Sequence, residues 1–242
     1  MEKQLSIEKE NSLLNNKLIY DITQFTHLDY PDHLACIFWF SSCNMQCDFC
    51  YNKDIVYAKG GNFSMYYALE FLKTRVGLLD GVVLSGGEAS SYNLKEFCLK
   101  IKELGFLIKL DTNGTNYEKI KELVQCNLVD FIALDYKAPH YKFTQITKSN
   151  KFSEFSQTLN LLIKSDIAYE VRTTLHPDLL TYKDINNIIE DLVQRGYTNS
   201  YFLQEFLETQ NIGNIKQSTQ KFQYNLLSNR LKVEYRYNTP HS

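Results

Sequence analysis

The sequence predicts an α/β fold in which a parallel sheet is covered by helices. From residue 34 onward, short apolar runs typical of strands alternate with longer segments of helical period. The strand-like runs are nearly continuous in hydrophobicity, as expected for parallel strands covered on both faces. The chain has 242 residues, of which 44% are hydrophobic, so it can form one sizeable core.

The predicted strands follow an amino-terminal segment without clear structure. Residues 1–17 are polar and show little periodicity, so we interpret them as a loosely ordered extension of a domain that spans residues 18–242. Residues 17–25 alternate like an edge strand, and residues 29–32 form a turn. The core strands are predicted at 34–40, 81–85, 106–111, 128–135, 168–174 and 200–206.

Helical periodicity follows every core strand. The helices are predicted at 64–76, 92–104, 117–125, 152–164, 182–195 and 215–229. These pairs make six βα units over residues 34–229, and residues 231–237 are either a closing strand or a tail. Six units can form a doubly wound open sheet or an incomplete barrel, and periodicity does not choose between them.

The charge balance and the cysteines narrow the class of protein. With 26 Lys and Arg against 28 Asp and Glu, no global basic field favours nucleic acid or a membrane surface. The amino terminus lacks the apolar core of a signal peptide, and no apolar run approaches the roughly 20 residues that span a bilayer. We therefore expect a cytoplasmic protein whose six cysteines are reduced and whose clustered cysteines serve metal or redox chemistry.

Unusual residues follow the predicted strands. Functional loops of parallel α/β folds lie at the carboxyl ends of the strands, so these residues are expected to meet at one edge. The sequences at these ends are SSCNMQCDFCYN (41–52), SGGE (85–88), DTNG (111–114), LDYK (134–137), RTTLHP (172–177) and LQEF (203–206).

Three cysteines lie within eight positions after the first core strand, as Cys43, Cys47 and Cys50. Thiolates select zinc or iron–sulfur clusters, and structural zinc normally has four ligands. Three ligands on a [4Fe–4S] cluster would leave one iron open for a substrate. A zinc site completed by His33 or another residue is the alternative. Cys36 is expected in the core, Cys98 lies in a predicted helix, and Cys126 lies just after another.

The other strand ends each have a purely structural alternative. The glycine pair of SGGE lets backbone approach a ligand closely, but it also suits an ordinary turn, and Glu88 could be a helix N-terminal acid. Asp111 and Asp135 end apolar strands and need a cation, a backbone donor or a ligand, although Asp111 could cap a helix. A solvated edge or salt bridges would explain Lys137, Arg172 and His176, a loop-shaping role also suits His176, and Gln204 could satisfy backbone.

Two of these motifs resemble those of the radical S-adenosylmethionine (radical SAM) enzymes. CNMQCDFC is similar to their C-x3-C-x-aromatic-C signature, with Phe49 as the aromatic residue, and SGGE is similar to their second motif. The resemblance implies a partial (β/α)6 barrel. DTNG, LDYK and the segment 25–43 resemble the glycyl-radical-enzyme activases, and most of all the activating protein of anaerobic ribonucleoside-triphosphate reductase.

The resemblance implies a role for each matching residue. Cys43, Cys47 and Cys50 would hold a [4Fe–4S] cluster whose open iron binds the amino and carboxylate groups of S-adenosylmethionine. The adenine would meet Phe49, Tyr51 and Asn52, and the methionyl amino group would meet Gly86, Gly87 and Glu88. A monovalent cation beside the methionyl carboxylate would involve Asp111, Thr112 and Asp135. Asn113 would also bind the cofactor, and Lys137 and Arg172 would face the carboxylate or ribose.

The resemblance also implies a reaction and its partners. An electron from flavodoxin or ferredoxin would cleave S-adenosylmethionine, and the 5′-deoxyadenosyl radical would take hydrogen from a glycine of a glycyl radical enzyme. Asp32 and Tyr51 depart from the activase pattern, so the subfamily stays open. The alternatives are pyruvate formate-lyase activase, a small-molecule enzyme such as 7-carboxy-7-deazaguanine synthase, and a non-catalytic iron–sulfur or zinc protein.

Overall fold

The computed structural model describes residues 14–236, which fall into two compact units. The first unit comprises residues 14–44, 54–112 and 118–132, and the second comprises residues 45–53, 113–117 and 133–236. Most of the predicted extension over residues 1–17 lies outside the described residues. The assignment of residues 18–242 to one domain stays a prediction.

The strands of the first unit are β1 (Lys17–Thr26), β2 (Ala35–Phe40), β3 (Phe63–Ser64), β4 (Gly81–Gly86) and β5 (Leu107–Thr112). Their order is β3-β1-β2-β4-β5. The central strands β2, β4 and β5 are parallel, whereas β1 is antiparallel to both β2 and β3. Phe40 pairs with Gly86, so the carboxyl ends of β2 and β4 meet.

Helices cover the strands of the first unit with apolar faces of helical spacing. The second of them begins after Ser64, whose hydroxyl accepts a hydrogen bond from Tyr67 N–H, and it buries Met65, Leu69 and Leu72. The helices are α1 (Lys53–Tyr57), α2 (Met65–Lys73), α3 (Lys95–Glu103) and α4 (Tyr117–Gln125), and a 3₁₀ turn spans Ala89–Ser91.

The strands of the second unit are β6 (Phe131–Asp135), of which only the last part belongs to this unit, β7 (Ala168–Leu175), β8 (Tyr201–Glu205) and β9 (Val233–Arg236). They follow one another in the order β6-β7-β8-β9. Both β7–β8 and β8–β9 are parallel. Its helices are α5 (His140–Thr147), α6 (Phe152–Ile163) and α7 (Tyr182–Arg195), and a 3₁₀ turn spans Tyr224–Leu226.

These elements confirm the predicted α/β class with a mostly parallel sheet, because every pairing given above between β2, β4 and β5, and between β7, β8 and β9, is parallel. The strand predicted at 17–25 is β1, but the two-residue β3 pairs with its outer side, so β1 is not the edge strand. Val233–Arg236 is a strand and not a tail. Among the described residues 14–236, no helix is long and apolar enough to cross a membrane.

The prediction of a helix at 215–229 is wrong. Apart from the short 3₁₀ turn, this segment is irregular, and no residue from 212 to 230 is buried. A helix of this length depends on burying an apolar face, and Phe222, Tyr224 and Leu226 are all at least partly exposed. The sixth βα unit therefore lacks its helix, whereas the short elements α1, β3 and α5 were not predicted.

Candidate functional site

The glycine turn after β4 lies against the chain that leads into Cys43. Gly86 has φ +112°, and a Cβ atom there would lie 2.4 Å from the Phe40 nitrogen. A Cβ atom on Gly87 would lie 1.9 Å from the Ser42 carbonyl oxygen. Gly87 N–H donates to Phe40 O at 2.8 Å, and Glu88 N–H donates to Ser42 O at 2.9 Å. Both glycines are therefore required for the turn to contact this backbone.

Glu88 anchors a buried hydrogen-bond network in the first unit. Its carboxylate is 2% exposed, and Oε1 accepts from the hydroxyls of Ser90 at 2.6 Å and Thr112 at 2.8 Å. Ser90 N–H also donates to this oxygen at 3.2 Å, so Glu88 caps the 3₁₀ turn that follows it. The helix N-terminal role considered from the sequence is thus present, and it brings Thr112 of β5 against the SGGE turn.

Asp111 lies in β5 and pairs with a lysine that was not predicted as a site residue. Lys109 Nζ contacts Asp111 Oδ1, and Ser85 Oγ donates to Asp111 Oδ2 at 3.0 Å. The side chain of Lys109 is only 3% exposed. Side chains two positions apart in a strand share a face, so this period could have revealed the pair from the sequence.

The cysteine-bearing loop of the second unit, residues 45–53, is fixed at the end of α5. Gln46 N–H donates to Thr147 O at 3.0 Å, and Asp48 N–H donates to Ile146 O at 3.3 Å. Lys148, which follows α5, also contacts the Asp48 carboxylate at 2.8 Å. Helix α5 therefore positions the backbone that carries Cys47, which the sequence did not predict.

A second segment holds the same loop from the carboxyl-terminal part of the chain. Ile212 N–H donates to Cys50 O at 3.0 Å, and Gly213 N–H donates to Asp48 O at 2.8 Å. A Cβ atom on Gly213 would lie 2.8 Å from the Asp48 Cβ, so the two backbones are in close contact. Buried Asn211 stabilises this segment by bonding Ile215 N–H through its side-chain oxygen at 2.7 Å.

The two thiols of this loop differ in burial, because Cys47 is buried and Cys50 is half-buried. Burial raises the pKa of Cys47 to about 12, and the nearby Lys137 ammonium only partly opposes this effect. Burial also raises the pKa of Cys50, whose N–H donates to Cys47 O at 2.9 Å in a tight turn. Cys43 belongs to the first unit, is half-buried, and follows Ser42, which has φ 64°.

Asp135 forms a charged cluster with two cations in the second unit. Arg172 Nε donates to Asp135 Oδ1 at 2.6 Å, and Lys137 Nζ donates to Oδ2 at 3.0 Å. Burial alone would raise the pKa of Asp135, but Arg172 and Lys137 outweigh burial and lower it to about 2. Arg172 also lies 3.9 Å from the buried Glu170, which in turn pairs with Arg236. These three cations and two carboxylates carry a net positive charge, which suits an anionic ligand group.

The remaining predicted residues are placed differently with respect to solvent. Phe49 is buried, and its ring centroid lies 5.6 Å from Lys137 Nζ, whereas Tyr51 is 58% exposed and Asn52 is half-buried. Asn113 is buried and accepts hydrogen bonds from the Thr115 N–H at 3.0 Å and hydroxyl at 2.7 Å. Asn113 therefore shapes the DTNG turn, which is an Asx-type structural role.

His33 lies too far from Cys43 to be the fourth ligand of the zinc alternative. His33 precedes β2 and packs its ring against Tyr30 at 4.8 Å, whereas Cys43 follows β2, about 20 Å of extended strand away. Cys36 and Cys98 are buried, as expected for core thiols, and Cys126 is exposed. Across residues 14–236, no group of three His, Cys, Asp or Glu side chains forms a ready-made site for a single metal ion. Support for an iron–sulfur cluster thus comes from the type of ligand, which is three soft thiols within eight residues.

His176 has the loop-shaping role considered from the sequence. It is 1% exposed, its Nε2 lies 2.8 Å from Lys216 O, and its Nδ1 accepts from Asp178 N–H at 3.2 Å. A carbonyl oxygen only accepts, so Nε2 carries the proton. The ring also contacts Phe206 edge-on, which fixes the loop after β7.

Comparison with known sequences supports the family that the motifs resemble. A sequence model of the radical SAM superfamily matches residues 37–196. A protein of Methanocaldococcus jannaschii, named "Putative glycyl-radical enzyme activating enzyme MJ1227", is 29% identical over 199 residues, which cover 78% of this chain and 80% of the relative.

Comparison with solved structures supports the fold. Streptococcus suis SuiB, bound to S-adenosylmethionine, aligns with TM-score 0.64 and 12% identity over 97% of this chain and 54% of SuiB. Native anSMEcpe with bound AdoMet aligns with TM-score 0.57 and 18% identity over 69% of this chain and 49% of its own. QueE from Escherichia coli aligns with TM-score 0.53 and 16% identity over 81% of this chain and 88% of QueE. The chain spans about half the length of SuiB and anSMEcpe, and at these identities the likeness concerns the fold alone.

Proposed function

Because this chain belongs to the radical SAM superfamily, we propose that it is an activase, which cleaves S-adenosylmethionine reductively and generates a glycyl radical on a partner enzyme. The observation that carries the proposal is the trio of thiols within eight residues, without a fourth cysteine in the loop, in a chain that matches the superfamily over residues 37–196.

The family implies a [4Fe–4S] cluster and S-adenosylmethionine, and the donor set fits this cluster. Cys43, Cys47 and Cys50 would hold three irons and leave the fourth open to the cofactor. When bound, the cluster supplies the electron that breaks the sulfonium bond of S-adenosylmethionine. The low solvent exposure of Cys47 supports this assignment, because exclusion of water protects reactive intermediates from side reactions.

The residues of this chain would bind and orient S-adenosylmethionine. The excess positive charge of Lys137 and Arg172 over Asp135 suits the methionyl carboxylate, with the ribose hydroxyls as the alternative partner. Gly86, Gly87 and Glu88 would meet the amino group, and Asp111, Thr112 and Asn113 are further proposed cofactor-binding residues. Phe49, Tyr51 and Asn52 would lie along the adenine, and the Tyr51 side chain is 58% exposed and so accessible to a ligand.

The partner we propose is a glycyl radical enzyme, most specifically an anaerobic ribonucleoside-triphosphate reductase. The name of the Methanocaldococcus jannaschii relative supports an activase, and the DTNG and LDYK motifs favour the reductase as its partner. Flavodoxin or ferredoxin would donate the electron. The monovalent cation implied by the resemblance stays a prediction, and both of its expected carboxylates, Asp111 and Asp135, already contact protein cations.

The proposal is tested after anaerobic reconstitution with iron and sulfide, followed by chemical reduction. Chromatography measures 5′-deoxyadenosine and methionine, and electron paramagnetic resonance detects a glycyl radical when the reductase is present. We expect both signals, and their loss in Cys43→Ala. Cys126→Ala is the matched control, because this exposed thiol lies outside the cysteine loop, and Cys98→Ala should also keep both signals.

The outcomes separate the competing functions. Failure of the wild-type protein to cleave S-adenosylmethionine would contradict an enzyme and favour a non-catalytic iron–sulfur or zinc protein. Cleavage that is stimulated by a pterin and indifferent to the reductase would contradict only the partner and favour a small-molecule enzyme. A glycyl radical formed on pyruvate formate-lyase, and not on the reductase, would reassign the activase to that enzyme.

A further inference from the structure

We propose that the ammonium group of Lys109 takes the place of a monovalent metal cation beside Asp111, so that binding of S-adenosylmethionine does not depend on sodium or potassium. This inference rests on the proposed function, because it concerns the site at which the methionyl carboxylate would bind. It assigns to Lys109 a positioning role that neither the motifs nor the comparisons indicate.

The need for a positive charge at this position follows from electrostatics. Asp111 and the carboxylate of the cofactor are both anions, and two carboxylates in one partly desolvated pocket repel each other unless a cation lies between or beside them. The side chain of Asp111 is only 14% exposed, so water screens this repulsion poorly.

Lys109 already supplies that charge from within the same strand. Its Nζ contacts Asp111 Oδ1, and its side chain is 3% exposed beside its strand partner Val83. The other oxygen, Oδ2, accepts from Ser85 Oγ at 3.0 Å. A lysine ammonium is a compact charge of +1, equal to that of an alkali ion, and here it is held by the backbone and needs no binding equilibrium.

The other residues named for the cation are also committed to protein partners. The Thr112 hydroxyl donates to Glu88 Oε1 at 2.8 Å. In the second unit, Asp135 Oδ1 contacts Arg172 at 2.6 Å and Oδ2 contacts Lys137 at 3.0 Å, so the charge of Asp135 is already more than balanced. The chain thus provides a fixed cation for each carboxylate that would otherwise recruit a metal ion.

The test measures the dissociation constant of S-adenosylmethionine for the reconstituted protein by equilibrium dialysis. Tetramethylammonium salts replace sodium and potassium, and each alkali chloride is then titrated at constant ionic strength. We expect the wild-type constant to change by less than about twofold. For Lys109→Gln we expect at least about a tenfold weakening without alkali ions, and saturable recovery when sodium or potassium is added.

Two further variants control for folding and for general loss of charge. Lys102→Gln removes a lysine of the same unit that pairs with Asp130 and is 30% exposed, and it should behave as the wild type. Lys109→Gln combined with Asp111→Asn removes both charges, so its binding should be insensitive to alkali ions, even where Lys109→Gln alone is poorly folded.

Three results would overturn the inference. They are a saturable alkali dependence of the wild-type protein, wild-type affinity of Lys109→Gln in alkali-free buffer, and a loss in folded Lys109→Gln that neither alkali ion restores. Each concerns binding, whereas the proposed function fails when the wild-type protein does not cleave S-adenosylmethionine in any salt. The two failures are therefore distinguishable.

Discussion

Asp111 and Asp135 both lie at the carboxyl end of a strand, but their electrostatic settings differ. Asp111 pairs with one lysine of its own strand, so the pair is neutral. Asp135 contacts Lys137 and Arg172, so that group carries a net positive charge. The difference shows that a carboxylate at a strand end is not by itself a metal site, because the cations that the fold places beside it decide its chemistry.

The largest expected effect breaks the Asp135 group. Asp135→Asn removes the carboxylate shared by two cations, Lys137 and Arg172, and leaves them facing each other. We expect a loss of about 3–5 kcal/mol in the free energy of unfolding, measured by urea denaturation. Asp111→Asn should lose less, because only one cation, Lys109, loses its carboxylate partner.

The control for this comparison is Glu190→Gln, which breaks the surface pair with Arg230. An exposed ion pair contributes little, so this variant should unfold at nearly the same urea concentration as the wild type. An Asp135→Asn variant as stable as Glu190→Gln would contradict the importance of charge balance at this buried group.

The pH dependence of stability gives the next largest effect. Burial raises the pKa of Asp135, but Arg172 and Lys137 outweigh it and lower the pKa from 3.8 to about 2. A lowered pKa in the folded state contributes stability above the unfolded pKa, and this contribution is lost as pH falls through the folded pKa. Between pH about 4 and about 2, the wild type should lose about 2 kcal/mol from this group.

Urea denaturation across this pH range checks the expectation. Asp135→Asn has no carboxyl group to protonate, so its stability should decline less steeply with acid than that of the wild type. Parallel slopes for the two proteins would show that Asp135 does not carry this part of the acid sensitivity.

A smaller effect is expected when the positive excess of the Asp135 group is removed. Lys137→Met leaves a neutral Asp135–Arg172 pair, which resembles the Lys109–Asp111 pair in charge. Affinity for S-adenosylmethionine should fall about tenfold, or about 1.4 kcal/mol, in equilibrium dialysis. Lys142→Met is the matched control, because Lys142 pairs with Asp184 on α7, and unchanged affinity in Lys137→Met would argue against a carboxylate-binding role.

The smallest effect is expected when the neutral pair is replaced as a whole. Lys109→Met combined with Asp111→Asn leaves neither charge unpaired, so its free energy of unfolding should lie within about 1 kcal/mol of the wild type. Each single substitution should be more destabilising than the double, and urea denaturation of all three gives the coupling energy. Additive losses would show that the two side chains do not stabilise each other.

The sequence identified most of the candidate residues for this site because local spacing carries that information. Cys43, Cys47 and Cys50 are close in the chain, and SGGE follows a strand whose apolar run is unmistakable. Lys109 was missed because its neighbours made it look like part of an apolar strand, although its position two residues before Asp111 placed both on one face. By contrast, no local pattern marks Ile212 and Gly213, which hold the cysteine loop from more than 150 residues away.

The sequence by itself determined the α/β class, the alternation of the core strands with most of their helices, and the spacing of the three thiols, because periodicity and spacing are properties of short segments. The tertiary structure decided which partners those residues have. It placed Lys109 on Asp111, Arg172 on Asp135 and the 211–213 segment on the cysteine loop, and it left residues 215–229 without a buried face to support a helix. Ion pairs and packing surfaces depend on contacts between distant parts of the chain, which local patterns do not encode.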